Sequence, residues 1–425
     1  MLPFAAWLVW GIYFVFLYLI IFWLLVLIRE SHLVVETGSL VEGKNKPSAY
    51  PTVTVAIPAW NEEENIRDTI ESVMGLDYSP DKLEVIIVND GSTDQTEAVA
   101  KRVMGQYAGR KLRLITQPNR GKGAALNTAL QTAEGEFFAP MDADSLIRRD
   151  ALRHMLPEFE DPQVAAVLPL MKVWQPRNLL QRVQWCEYLV SVFYKHLMAI
   201  LDCISIIPGP FSVHRTRILR ELGGFDEQNI TEDVEITLRL QTHHHKIVQN
   251  FHTEVYTKAP DTWRQFYRQR NRWYKGTFLN AWRYRKMALN TKYGDFGFIQ
   301  MPRMVIEGAL LLLVLGALLY TCLLSPLATQ LRLASLKGVD LWTQFAQTVT
   351  HFSFIDHEWP AYFFVSVFYV LGLVLIRYAH KHAREPMRKH GYFVIPFYLF
   401  LYWMLTTVVY VGVFADLVRG KTHRW

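Results

Sequence analysis

The chain has 425 residues, of which 51% are hydrophobic, 14% aromatic and only 20% charged, with a net charge of +6. That charged share is below the usual quarter, and the length exceeds one average domain, which together place the chain at a membrane. The three cysteines, Cys186, Cys203 and Cys322, exclude a disulfide framework and show no zinc-ligand spacing, as expected of a reducing cytosolic face.

The apolar excess is unevenly spread. Residues 5–28 form a nearly uninterrupted apolar run without the basic start or small-residue cleavage site of a signal peptide, so 1–28 is expected to be a retained transmembrane helix. The stretch 50–260 then reads as a soluble domain in which strand-like and helix-like segments alternate. Residues 53–57 are a short apolar run ending at Pro58. A helix over 63–74 follows, with Ile66, Ile70, Val73 and Met74 on one face. A second buried-type run at 85–88 leads to a helix over 95–107. A strand at 112–116, a helix at 122–132 and a strand at 137–141 continue the rhythm. This alternation predicts an α/β fold around a parallel sheet covered on both faces, with ligands at the carboxyl ends of the strands.

Three polar clusters fall at such ends: Asn61-Glu62, Asn89-Asp90 within VNDGSTD, and Asp142-Ala143-Asp144. Asp90 also reads as a turn former or helix cap, and Glu62 as an acid favoured at a helix start. Asp142 and Asp144 flank a small residue after an apolar strand, a spacing that lets both carboxylates approach one hard cation. Mg²⁺ or Mn²⁺ bound by one or two carboxylates plus substrate phosphates is the arrangement that results. The run Asn119-Arg120-Gly121-Lys122-Gly123 lacks the spacing and the Ser or Thr of a P-loop. What remains is a Gly-rich turn whose helix start, with Lys122, suits a nucleotide or serves as a plain turn.

Residues 179–201 are amphipathic and read as a domain helix or as one lying on a membrane. Pro208-Gly209-Pro210 marks a loop whose backbone approaches something closely. Thr231-Glu232-Asp233 opens a helix; it reads either as ordinary capping or as a base at a helix start facing a pocket. His243-His244-His245 lacks ligand spacing and reads as exposed. Over 262–284, Arg264, Arg268, Arg272 and Lys275 recur at helical spacing among aromatics. Such a stripe suits a membrane interface, phosphate or a sugar ring; nucleic acid is disfavoured by the attached spans. The apolar runs 304–324, 361–376 and 393–414 approach or reach the roughly 20 residues that cross a bilayer.

Asp90, the Asp142/Asp144 pair, Thr231-Glu232-Asp233 and Gln269-x-x-Arg272-Trp273, in this order between flanking apolar runs, resemble the membrane-bound family-two glycosyltransferases of the polysaccharide synthase type. The wording VNDGSTD and TEDVEITLRLQ is most similar to poly-N-acetylglucosamine synthases, and PGP at 208–210 to hyaluronan and chitin synthases. The resemblance implies a GT-A (Rossmann-like) cytoplasmic domain at 50–260, amphipathic interface helices at 261–300 and about three spans within 304–425. It implies that Pro58, Glu62, Asp90 and Lys122 contact the nucleotide, Asp90 through the uracil, with Asp142 beside them. Asp144 with Asp142 would hold Mg²⁺ or Mn²⁺. Asp233 would be the general base, Gln269 and Arg272 would grip the pyrophosphate, and Trp273, with Glu232, would meet the acceptor.

The expected function is a processive, inverting β-glycosyltransferase that polymerises a sugar from a UDP-sugar, UDP-N-acetylglucosamine for preference, and extrudes the product across the cell membrane. Four spans are few for a pore, so self-association or a small membrane subunit would complete it. The alternative is a non-processive glycolipid synthase of the ceramide-glucosyltransferase kind, which adds one sugar to a lipid. A transporter or scaffold is the non-enzymatic rival and rests on little beyond Glu307 near a span end. Topology conflicts with this count. A cytoplasmic domain and a basic loop at 377–388 send Arg419-Gly420-Lys421 outside, against the positive-inside rule. Either the last run is not a single crossing, or a fifth lies between 341 and 355.

Overall fold

The computed structural model describes residues 50–320 and 359–421, apart from 108 and 110, with a few isolated positions besides. The expected N-terminal span, but for isolated positions, and the stretch 341–355 lie outside the described residues.

The first half builds as its periodicity requires. Strand β1 (Val53–Ala59) leads to helix α1 (Ile66–Met74), β2 (Leu83–Asp90) to α2 (Thr96–Met104), and β3 (Lys111–Gln117) to α3 (Lys122–Thr132), followed by β4 (Phe137–Pro140). β1 pairs in parallel with β2 on one side and β4 on the other, and β3 extends the sheet beyond β2. Alternate residues of β1 feed two cores. Val53, Val55 and Ile57 pack with Ile66, Ile70 and Val73 of α1. Ala56, with Ile86 and Val88, packs on Ala125, Leu126 and Ala129 of α3. A strand buried on both faces explains the continuous apolar runs.

The second half departs from the all-parallel expectation. After β5 (Ser145–Ile147) and a short α4 (Ala151–Met155) come β6 (Val164–Val173), α5 (Leu179–Ile200), β7 (Val213–Arg215), α6 (Thr216–Glu221), α7 (Glu232–Thr242) and β8 (Lys246–Thr257). The eight strands form one sheet in the order β3-β2-β1-β4-β7-β6-β8-β5. β6 and β8 are parallel, but β7 runs antiparallel to both β4 and β6, and β5 antiparallel to β8. The sheet is therefore mixed. β5 sits at the sheet edge beside β8, with Ser145 opposite Thr257 and Ile147 opposite Val255, far from β4 in the strand order.

Beyond the sheet, α8 (Trp263–Arg283), α9 (Met301–Leu319), α10 (Trp359–His382), α11 (Val394–Phe397) and α12 (Trp403–Val418) complete the described chain. Asn178 starts α5 with a reciprocal capping box, its Oδ1 accepting from Gln181 N at 2.9 Å. α5 and α8 share a core with α11 and α12, in which Trp185, Tyr188, Phe266, Tyr402 and Val409 meet. Among the described residues, Phe296–Ala317 and Val394–Val418 are long and apolar enough to cross a membrane by length and composition. The expected run 361–376 lies inside α10.

Candidate active site

Because β1 lies between β2 and β4, the loops leaving their carboxyl ends meet. Asn61, at φ 54°, accepts a bond from Thr93 N at 2.8 Å, and its own N–H donates to Ser92 Oγ at 3.0 Å. Glu62 N donates to Thr96 Oγ1 at 2.7 Å, which ties the β1 loop to the start of α2. Pro58 sits within β1, paired with Val88. Asp90 is 3% exposed and is used by the protein itself. Its Oδ1 accepts from Gln117 Nε2 at 2.7 Å and Arg120 N at 3.1 Å, and its Oδ2 from Gly121 N at 2.8 Å. These bonds shape the turn into α3 and so aim Lys122. Gly91, at φ 69°, has no room for a side chain, since a Cβ would lie 2.6 Å from Asn119 N.

Lys122 is the hub of the site. Its Nζ lies 2.6 Å from Asp142 Oδ1 and 2.8 Å from Glu232 Oε1. It thereby joins the β4 end to the start of α7. Burial works against its charge, but Asp142, Glu232 and Asp233 raise its pKa above the ordinary lysine value. Glu232, 3% exposed, is likewise opposed by burial yet held below the usual carboxylate range by Lys122 and Arg272. Gly209 of the PGP loop packs onto this pair: a Cβ there would meet Lys122 Nζ at 2.6 Å and Asp142 Oδ2 at 3.1 Å. The backbone approach read from Pro208-Gly209-Pro210 is therefore to the Lys122–Asp142 ion pair.

The other two carboxylates are poised differently. Burial and the neighbouring Glu232 push Asp233 up to about 6, against the pull of Lys122 and Arg272. Its Oδ1 accepts from Val234 N at 2.9 Å. Thr231 makes no side-chain cap to α7; its hydroxyl instead accepts from Asn280 Nδ2 of α8 at 3.0 Å. Asp144 is pushed up to about 7, first by burial and then by Asp142 and Glu62. Glu62 is raised too, by burial, against a bond from Asn65 Nδ2. No group of three His, Cys, Asp or Glu among the described residues closes around a cation by itself. The donor chemistry nonetheless fits one. Asp144, raised by burial and its acidic neighbours, and Asp142, whose Oδ1 is held by Lys122, present carboxylate oxygens that suit a hard divalent ion whose remaining ligands are phosphate oxygens and water.

α8 supplies the opposite wall. Gln269 and Arg272 line, with Asp144, a cleft of about 1490 Å³ that continues past Trp174, Arg177 and Lys258. Arg272 Nη1 reaches Ile230 O at 3.5 Å, just before the Thr231-Glu232-Asp233 turn. Trp273 does not line this cleft: Arg270 lies 4.2 Å over its ring, and its ring packs on the α5–α8 core. Arg270, fully buried, is anchored by Glu187 of α5 at 2.5 Å. Arg268, Arg272 and Lys275 of the basic stripe all line the cleft, and Lys275, 1% exposed, is bound there to Asp416 at 2.6 Å.

Three contributors escaped the motif reading. Glu187 and Arg270 form a buried pair 83 residues apart, and neither stands in a local pattern. Lys195 on α5 has its pKa lowered to about 8 by burial, with only Asp233 opposing the shift. His243 and His244 are exposed as read, whereas His245 is half-buried; Cys186 and Cys203 are buried free thiols, and Cys322 lies outside the described residues.

A mixed α/β sheet with acidic loops at its strand ends is a GT-A-like glycosyltransferase fold. Residues 51–276 match the family described as "Glycosyltransferase like family 2", and the chain belongs to that family. It is 30% identical over 274 residues to a beta-monoglucosyldiacylglycerol synthase of Synechocystis sp., covering 63% of this chain and 57% of the relative. It is 29% identical over 272 residues to a poly-beta-1,6-N-acetyl-D-glucosamine synthase of Staphylococcus epidermidis, covering 64% and 61%. The chain therefore spans about three fifths of the length of these relatives. The fold is similar to that of a mannosyltransferase from Pyrobaculum calidifontis solved with GDP-Man and Mn2+, with TM-score 0.59, 23% identity, and coverage of 80% of this chain and 94% of that one.

Proposed function

We propose that this glycosyltransferase polymerises a sugar from a UDP-sugar donor, UDP-N-acetylglucosamine for preference, with inversion at the anomeric carbon and dependence on Mg²⁺ or Mn²⁺. The observation that carries the saccharide-acceptor reading is the cleft. At about 1490 Å³ it exceeds the 300–1,000 Å³ of an ordinary small-molecule pocket. Its walls beyond Asp144 are mostly polar, including Gln175, Arg177, Gln181, Lys258 and Gln265. A growing carbohydrate chain suits such walls better than an acyl chain does.

Asp233, with its pKa near 6, takes the proton of the acceptor hydroxyl. The freed oxygen attacks the anomeric carbon from the face opposite the diphosphate, forming the new glycosidic bond as the carbon–oxygen bond to the diphosphate breaks. An α-linked donor thus gives a β-linked product. Gln269 and Arg272 hold the pyrophosphate, and Arg272 neutralises the charge that develops on it, the kind of preorganised electrostatics that dominates catalysis. Asp144 and Asp142 would hold a divalent ion, which when bound would supply further charge neutralisation at the leaving group. Lys122, Pro58 and Glu62 frame the nucleotide, and Asp90 serves it by fixing the turn that carries Lys122. Trp273 and Glu232 support the acceptor side from behind, through Arg270 and Lys122.

The domain reading assigns 50–260 to the cytoplasmic catalytic unit, 261–300 to helices along the interface and 304–425 to the membrane region of a multi-pass protein of the cell membrane. The length and composition of Phe296–Ala317 support a crossing at the start of that region. Purified protein supplied with each radiolabelled UDP-sugar and Mn²⁺ tests the proposal by product size. A ladder of long chains is expected. One sugar added to a lipid would establish the glycolipid-synthase alternative instead, and absence of transfer from every UDP-sugar would overturn the donor assignment.

A further inference from the structure

We propose that the apolar run Val394–Val418 does not cross the bilayer but lies lengthwise on the catalytic domain. Its outer face rests in the lipid of the adjoining leaflet, and the C-terminus returns to the side of the active site. The inference rests on the reading that the chain is membrane-embedded, and it departs from a simple count of spans.

The run has 25 residues, about 37 Å at 1.5 Å per residue, enough to cross a hydrocarbon core of roughly 30 Å. A crossing helix of that length puts its ends on opposite sides of the membrane, so only one end can touch a domain outside it. Here both ends touch the same domain. At the start, Val394 and Ile395 are 0% and 6% exposed and share a core with Trp185 and Leu189 of α5. Just before them, Lys172 of β6 donates to Ala383 O at 2.7 Å, which fixes the incoming loop to the sheet. Midway, the Tyr402 ring lies 6.3 Å from that of Phe266, and Tyr410 stacks on Tyr274 at 4.4 Å with 6° between the planes. Gly412 lets Tyr267 of α8 approach, since a Cβ there would sit 2.9 Å from its Cζ. At the far end, Lys275 Nζ reaches Asp416 Oδ2 at 2.6 Å and Lys421 O at 3.4 Å. A lysine that is 1% exposed requires that partner, because an uncompensated buried charge is strongly destabilising.

The two faces of the run agree. Tyr398, Tyr402, Thr406, Val409 and Val413 are buried at helical spacing. On the other side Phe400, Met404, Val408, Phe414 and Val418 are 62%, 66%, 53%, 59% and 72% exposed. A continuous apolar stripe of this kind marks an interaction surface. Its chemistry, wholly hydrocarbon along the helix with Arg388 and Lys389 before it and Arg419 and Lys421 after it, fits one leaflet of a bilayer. The same placement removes the conflict with the positive-inside rule, because both basic flanks then lie on the side of the catalytic domain and no fifth crossing is required.

The test is sidedness. Arg419→Cys and, as a reference between the catalytic domain and the apolar run that follows it, the exposed Lys292→Cys are labelled with a membrane-impermeant maleimide in sealed vesicles of both orientations. Labelling of the parent chain is subtracted. Both positions are expected to react from the same side, and reaction of Arg419→Cys only from the side opposite Lys292→Cys overturns the proposal. A fluorophore on Met404→Cys gives an independent reading. Quenching by lipids with a shallow spin label should exceed quenching by deep labels at least twofold, whereas the reverse order places mid-helix at the bilayer centre and also overturns it. Release of the whole chain by alkaline carbonate would instead defeat the membrane reading on which the proposal stands.

Discussion

Replacing Asp233 by Asn should abolish transfer while making the protein more stable at neutral pH. The carboxyl is raised from 3.8 to about 6, chiefly by burial and by Glu232. At about 1.4 kcal/mol per unit, carrying the charge at neutral pH costs the folded state about 3 kcal/mol. The sign follows from linkage: the folded protein holds this proton more tightly than the unfolded chain does. Its contribution is fully present below the unfolded value of 3.8 and is lost as pH rises to about 6. An amide carries no such charge, so the stability gain of Asp233→Asn should be roughly half its full size at pH 5 and complete by about pH 7. Loss of a carboxylate base should lower kcat about 10²–10⁴-fold, and in the parent protein kcat should fall tenfold per pH unit below about 6. Denaturant titration at the two pH values and initial-rate measurements across pH check the two halves separately. Transfer near the parent rate, or an Asn variant that is less stable at pH 8 than the parent, would refute the assignment of Asp233 as a strained base.

Lys122→Met should destabilise the protein by about 3–5 kcal/mol, the usual result of stripping a buried carboxylate of its partner, and should shift the acid limb of the rate profile upward because Asp233 loses an attractive charge; denaturation and pH–rate curves read both. Asp144→Asn should remove the Mn²⁺-dependent part of UDP binding in calorimetry, and equal affinity with and without Mn²⁺ in the parent would contradict a cation there. Gly276→Ala brings a Cβ within 2.9 Å of Thr231 Cβ; overpacking of this kind costs about 1–3 kcal/mol, and kcat should fall further than stability does because the turn before Asp233 is displaced. Gly105→Ala, which meets nothing within 4 Å, should be neutral to slightly stabilising in the same melts.

The first half of the fold was legible because its signals are local. Ile66, Ile70, Val73 and Met74 announce the inner face of α1 whatever the rest of the chain does, and β1, β2 and β4 are buried on both faces and so read as continuous apolar runs. The expected parallel sheet fails where three-residue strands join it. β5 and β7 are too short to show a period, and their partners, β8 for β5 and β4 and β6 for β7, lie far away in sequence, so no local pattern announces the pairing. Asp144, Gln269 and Arg272 were placed in one cleft by motif order alone. Trp273 was expected there too and is instead covered by Arg270, a neighbour whose role depends on Glu187 across the α5–α8 interface.

What no motif announces is the charge balance of the centre. Asp142 raises Glu62, Asp142 and Glu62 raise Asp144, and Glu232 raises Asp233, yet Lys122 is bound only to Asp142 and Glu232. Asp144 and Asp233, the carboxylates expected to act on donor and acceptor, are the two left with pKa values of about 7 and 6. The folded chain has therefore settled its fixed cation on Asp142 and Glu232. Of the three that remain, Glu62 accepts from Asn65 Nδ2, while Asp144 and Asp233 stay electrostatically short of positive charge, one ready for a cation that arrives with a diphosphate and the other for a proton from a hydroxyl. Two halves of a transfer reaction, supplied by residues about ninety positions apart, are thus coupled through a single lysine. A structure built only to be stable would have neutralised all five.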